Sequence, residues 1–159
     1  MEPATVATTL NHTLGIAAAI ASLAIPAFSS TIGHTMIALA AVGAWKKCYL
    51  QNKPAPFLLL TFVGVPISQV LYGLILMFAL LGNVATGGSG VLLMIISIVS
   101  GLVIGTTAIL QARVCAAATD AQAETGQGFT TYLAAIGILE TTAIFTMVFS
   151  LVIIKRLGA

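Results

Sequence analysis

The sequence predicts an all-α membrane protein whose four transmembrane helices form two tandem hairpins, and three observations carry that prediction. Of its 159 residues, 59% are hydrophobic and only 6% charged, whereas a water-soluble domain carries about a quarter of its residues as charges. Four apolar runs, 14–45, 57–81, 91–110 and 132–154, are each about 20 residues or longer, the length a helix needs to cross roughly 30 Å of hydrocarbon. A Gly-rich, uncharged stretch, 83-NVATGGSG-90, then divides the chain into a first hairpin (1–82), a connector (83–90) and a second hairpin (91–159).

The first run follows MEPATVATTLNH, which has no basic region of the kind that opens a signal peptide, so this span is expected to be retained. It is rich in small residues: Ala17, Ala18, Ala19, Ala21 and Ser22. The third run has the same character, with Gly101-xxx-Gly105 followed by Thr106, Thr107 and Ala108. Small residues at such spacing let helices approach closely in lipid, where no hydrophobic force drives association. The first and third spans are therefore the expected packing faces, inside an assembly whose bulkier second and fourth spans meet lipid. The halves also align weakly. The stretch 28-FSSTIGHTMIALA-40 falls opposite 105-GTTAILQARVCAA-117, and 67-ISQVLYG-73 opposite 140-ETTAIFT-146, pairing His34 with Gln111 and Ile67 with Glu140. A duplicated hairpin that keeps one carboxylate is the simplest reading.

Outside the apolar runs there is little room for chemistry. A net charge of +2 is too small to imply nucleic acid. Lys46, Lys47, Lys53 and Arg113 border the loops after the first and third spans, while Lys155 and Arg156 lie on the other side. That asymmetry predicts cytoplasmic loops and both termini outside. Cys48 and Cys115 are too few for a metal motif and are expected to be reduced thiols.

The informative feature is Glu140, alone within 136-IGILETTAIF-145. A charged side chain at the centre of a bilayer costs a few kcal/mol or more, so it must be protonated, paired or surrounded by donors. In the second span Val65, Ser68, Gln69 and Tyr72 share one helical face, and Pro66 loosens the helix ladder, leaving a backbone carbonyl near Val65 free to bind a ligand. Gln111 and Glu140 lie almost equally far from the turn near Thr125–Gly126, hence at similar depth. The resulting set comprises the Glu140 carboxylate, the Gln69 and Gln111 amide oxygens, the Ser68 hydroxyl and the Val65 carbonyl. Hard oxygen donors with one negative charge suit Na⁺, whereas divalent ions want more carboxylates. A proton would need only the carboxyl group, and H⁺ stays open as the alternative ion.

These residues resemble the proteolipid rotor, the c or K component, of V-type and A/V-type ATPases, and the resemblance extends over essentially the whole chain. It rests on the tandem hairpins, 66-PISQVLYG-73, 110-LQARVCAAA-118 and 139-LETTAIF-145, and is strongest for bacterial Na⁺-translocating members. The resemblance implies ligand roles for Ser68, Gln69, Gln111 and Glu140, a backbone ligand at Val65, and a hydrogen bond from Tyr72 that holds Glu140. It also implies a homo-oligomeric rotor ring in a bacterial plasma membrane, with Glu140 as the ion-carrying carboxylate. Expected partners are a stator subunit with an essential arginine, central-shaft subunits at the cytoplasmic loops, and lipid. The chain would not be an enzyme by itself. One departure is Glu140-Thr141-Thr142, where related chains have Glu-Thr-Tyr, which is expected to alter packing more than ligation. Two remoter alternatives are a non-transporting structural proteolipid and a small membrane enzyme of the glutathione-using kind. The enzyme would need clustered arginines, and Arg113 is the only one within the bundle region.

Overall fold

In the computed structural model, which describes residues 3–157, the chain is helical almost throughout. The helices are α1 (Pro3–Leu50), α2 (Leu59–Gly64), α3 (Ile67–Ala85), α4 (Gly90–Thr125) and α5 (Phe129–Leu157). With α2 and α3 taken as one interrupted span, four helices are long and apolar enough to cross a membrane, and the protein is an integral membrane protein.

Three of the spans extend past their apolar runs at both ends, and the second, which starts at Leu59, does so only at Ala85. At the start of α1 the hydroxyls of Thr8, Thr9 and Thr13 bond the carbonyls four residues earlier, so polar side chains are satisfied on their own helix. In α4 the buried residues Leu93, Ser97, Ser100, Ile104, Ala108, Gln111, Cys115, Ala118 and Gln122 recur every three or four positions and form one stripe. A matching stripe on α1, including Ala18, Ser22, Ser29, Ile37, Ala41, Ala44 and Cys48, packs against it. This α1–α4 contact is the most extensive in the molecule. The helix pair α3 and α5 lies on it, with α5 the least buried span.

Small residues bring these helices together, and within one chain. A Cβ at Gly105 would lie 2.5 Å from Ser29 Oγ, and one at Gly101 would lie 3.2 Å from Ile25. The third span's Gly-xxx-Gly pair is thus occupied by α1. Backbone meets backbone at Gly73 of α3, where a Cβ would stand 2.7 Å from the Ser22 carbonyl oxygen and 3.2 Å from Leu23 Cα. The Ser22 carbonyl lies four residues before Pro26, which has no N–H to offer it.

Loops close the bundle with few residues. Gly126 caps α4 at φ +68°, and its N–H donates to Gln122 at 2.9 Å, where the sequence placed the turn. On the connector, Asn11 of α1 donates to the Gly88 carbonyl at 3.0 Å and accepts from the Gly90 N–H at 2.7 Å. Helix α3 continues through Asn83 to Ala85, further than the Gly-rich signal implies, because the Asn83 amide donates to the Ile154 carbonyl at 2.8 Å. At the opposite end Trp45 Nε1 donates to the Pro56 carbonyl at 2.9 Å, and Lys47 pairs with Glu124.

Two apolar clusters fill the interior. One gathers Leu76, Leu80, Leu93, Ile104, Ala143 and Ile154, the other Ile37, Leu59, Phe62, Cys115 and Ile136. In α3, α4 and α5 alike, the residues between these clusters include the polar ones.

Gly73→Ala is expected to destabilise the bundle. Overpacking costs about 1–3 kcal/mol, more than the gain of up to about 1 kcal/mol that alanine brings to a helix interior. Denaturation of the purified protein in mild detergent is expected to show a lowered midpoint, and a raised midpoint would mean that α1 and α3 do not meet there.

Candidate ion site at mid-depth

The local break in the second span builds the site. Pro66 interrupts the helix between Gly64 and Ile67, and the Val65 carbonyl accepts from the Ser68 N–H at 3.4 Å and the Ser68 hydroxyl at 3.1 Å. The Ser68 hydroxyl also lies 3.2 Å from Gln69 Oε1. Downstream of the break, the helical period returns Gln69 and Tyr72 to the face shared with Val65 and Ser68, as the spacing requires.

Gln69 is fully buried and Gln111 is 1% exposed. Burying two amides costs free energy unless each finds partners, and they find each other: Gln69 Nε2 donates to Gln111 Oε1 at 2.7 Å. Gln111 Nε2 in turn donates to the Ile136 carbonyl of α5 at 3.1 Å. Ile136 lies about one helical turn before Glu140, so the equal depth inferred from loop counting holds to within a turn. Glu140 itself is half-buried, and the Tyr72 hydroxyl donates to its Oε1 at 2.8 Å.

All six sequence-predicted site residues therefore stand in one region bounded by α3, α4 and α5, and hydrogen bonds link them in two groups. Val65, Ser68, Gln69 and Gln111 form one continuous chain of contacts, and Tyr72 with Glu140 forms the second. Helix α3 contributes to both. The oxygens concerned are a carboxylate, two amides, a hydroxyl and a backbone carbonyl, uncharged but for one. Such a set can replace the water around one monovalent cation, with the amides and hydroxyl able to turn between bonding each other and facing an ion.

Thr142, the departure noted in the sequence, is exposed on α5, and Thr141 bonds the Ile138 carbonyl of its own helix at 2.7 Å. Neither hydroxyl joins the network. Sequence reasoning missed a further helix-to-helix bond close by. Ser30 of α1 donates to the Pro66 carbonyl at 2.6 Å, and His34 Nδ1 lies 2.8 Å from the Ser30 carbonyl. The alignment that pairs His34 with Gln111 also pairs Ser29-Ser30 with Thr106-Thr107, but nothing in it says which of these residues reaches another helix.

Residues 88–153, which hold Gln111 and Glu140, match the family model for the ATP synthase C subunit. The match spans the end of the connector, α4 and most of α5, and makes that stretch similar to the c subunit of ATP synthases. A comparison with curated proteins finds no match.

Proposed function

We propose that this chain is the rotor proteolipid of a V-type rotary ATPase, a copy in a homo-oligomeric ring that carries one Na⁺ per chain at Glu140. The observation that carries the reading is a lone carboxylate on α5, held by Tyr72 of α3, in one region with the linked oxygens of Val65, Ser68, Gln69 and Gln111 from the second span and α4. The family match over the second hairpin supports the same class.

The physical logic follows from the cost of the charge. Glu140 cannot face lipid as a bare carboxylate; an ion held by Glu140, Gln69, Gln111, Ser68 and the Val65 carbonyl neutralises it. With the ion in place Tyr72 steadies the carboxylate. Rotation then brings the loaded copy to a stator whose arginine and water access let the ion leave and another enter. Each charge moved across the membrane works with or against roughly 2.3 kcal/mol per 100 mV. Two hairpins sharing one carboxylate give one ion per four helices, which favours ATP-driven pumping over synthesis. The chain supplies no catalytic group of its own; hydrolysis belongs to a separate soluble sector.

In this reading α1 and α4 line the inside of the ring, while α3 and α5 face lipid and the stator. The loops at 51–58 and 126–128 lie on the cytoplasmic side, where a central shaft docks, and both termini are outside. Sodium is favoured over the proton because a proton needs only the carboxyl group, whereas two amide oxygens, a hydroxyl and a backbone carbonyl in the same region are the hard oxygen donors that replace the water around Na⁺.

Carbodiimides attack the protonated carboxyl group, so a bound cation protects it. At fixed pH, Na⁺ in the millimolar range is expected to slow labelling of Glu140 by dicyclohexylcarbodiimide and K⁺ is not, with protection weakened in Gln69→Ala and Gln111→Ala. Labelling that ignores Na⁺ would leave a proton rotor. Orientation has its own readout. Both native cysteines are buried, so a cysteine introduced at exposed Gln127 is expected to react with an impermeant maleimide in inside-out vesicles and not in intact cells; the reverse pattern would invert the topology.

A further inference from the structure

We infer that Ser30, on a helix that supplies none of the proposed ligands, is a positioning residue that aims the Val65 carbonyl at the ion. The inference rests on the proposed sodium site. Ser30 is 1% exposed and its hydroxyl donates to the Pro66 carbonyl at 2.6 Å, a bond that ties α1 to the break between α2 and α3.

The placement of the protons makes this bond directional. His34 Nδ1 lies 2.8 Å from the Ser30 carbonyl and 3.2 Å from Ser30 Oγ. A carbonyl oxygen only accepts, so Nδ1 carries the hydrogen. The hydroxyl hydrogen of Ser30 is thereby left for Pro66, and the imidazole holds the turn of α1 from which Ser30 projects.

The effect on Val65 passes through proline geometry. The Val65 carbonyl belongs to the peptide plane on the N-terminal side of Pro66, and the Pro66 carbonyl to the plane on its C-terminal side. The pyrrolidine ring fixes the rotation about N–Cα, here at φ −67°, which leaves one soft torsion, ψ, between the two planes. Gripping the Pro66 carbonyl from α1 restrains that torsion, and with it the direction in which the Val65 carbonyl points. Ser68, which donates to the Val65 carbonyl by both its N–H and its hydroxyl, is held in the same turn.

Gly33 makes the reach possible. A Cβ there would lie 3.0 Å from Ala112 Cβ, 3.2 Å from the Ala108 carbonyl oxygen and 3.5 Å from Pro66 Cβ. Helix α1 is thus seated against α4 and the break at once, beside the residue that makes the bond. In the other hairpin Gln111 of α4 grips a carbonyl of α5, Ile136. Each hairpin therefore braces its second span through a backbone carbonyl near the site.

The test measures the Na⁺ concentration that gives half-protection of Glu140 against carbodiimide in the purified assembly. Loss of one net hydrogen bond in Ser30→Ala is expected to raise that concentration about three- to tenfold. Ser30→Thr, which keeps the hydroxyl, is expected to restore it to within about twofold of the unmodified protein. Thr31→Ala is expected to leave it unchanged, because the exposed Thr31 hydroxyl bonds its own helix at Ala27. Should Ser30→Ala fail to assemble, Ser30→Cys, close in volume and a weaker donor, takes its place with the same expected direction. An unshifted half-protection in the alanine or cysteine variant, or an equal shift in Thr31→Ala, overturns the inference while leaving the sodium site standing. Absence of Na⁺ protection in the unmodified protein removes the sodium reading and this inference with it.

Discussion

The structure depends on one constraint: a carboxylate at bilayer depth must always have company. Glu140 has the Tyr72 hydroxyl at 2.8 Å, and Tyr72 is where it is because α3 is seated on α1 through Gly73, where backbone approaches backbone. The same helix presents Gln69 to Gln111. Displacement of α3 would therefore expose the acid and orphan both amides together. Each orphaned buried group costs on the order of 1–3 kcal/mol, so the polar groups also specify how the helices sit.

The helices divide the work. Helices α1 and α4 are scaffolds: long, striped with small residues, and packed on each other for most of their length. Helices α3 and α5 carry the acid and most of its neighbours, and they lie on the outside of that pair. Two apolar clusters enclose the polar layer from either end of the bundle. Water-free surroundings strengthen the interactions among the oxygens and raise the cost of leaving any of them unmatched. Under the proposed function, that is what would let a neutralised site pass through lipid and compel it to reload before it does.

Much of this was legible in the sequence, for physical reasons. Apolar runs must span as helices because lipid offers no partner to a backbone N–H, and the face shared by Val65, Ser68, Gln69 and Tyr72 follows from the helical period alone. Glu140 announced itself by its cost. What stayed hidden depends on contacts between helices, which periodicity does not encode. Gly101 and Gly105 were visible as a packing motif, but only the structure shows that Ile25 and Ser29 of the same chain occupy it. Pro66 was recognised as a break and the Val65 carbonyl as a candidate ligand beside it, yet the grip of Ser30 on the next carbonyl requires knowing which turn of α1 lies opposite. Helix ends were longer than hydropathy implied, because threonine hydroxyls satisfied by their own helix and the buried stripe of α4 sustain helix where apolar composition fades.

The central claim is that Glu140 and its neighbours hold one sodium ion per chain. Equilibrium binding of ²²Na⁺ to the purified oligomer tests it most directly. The account predicts saturable binding at one ion per chain, abolished in Glu140→Gln; saturation at a different ratio, or binding that survives that substitution, would contradict it.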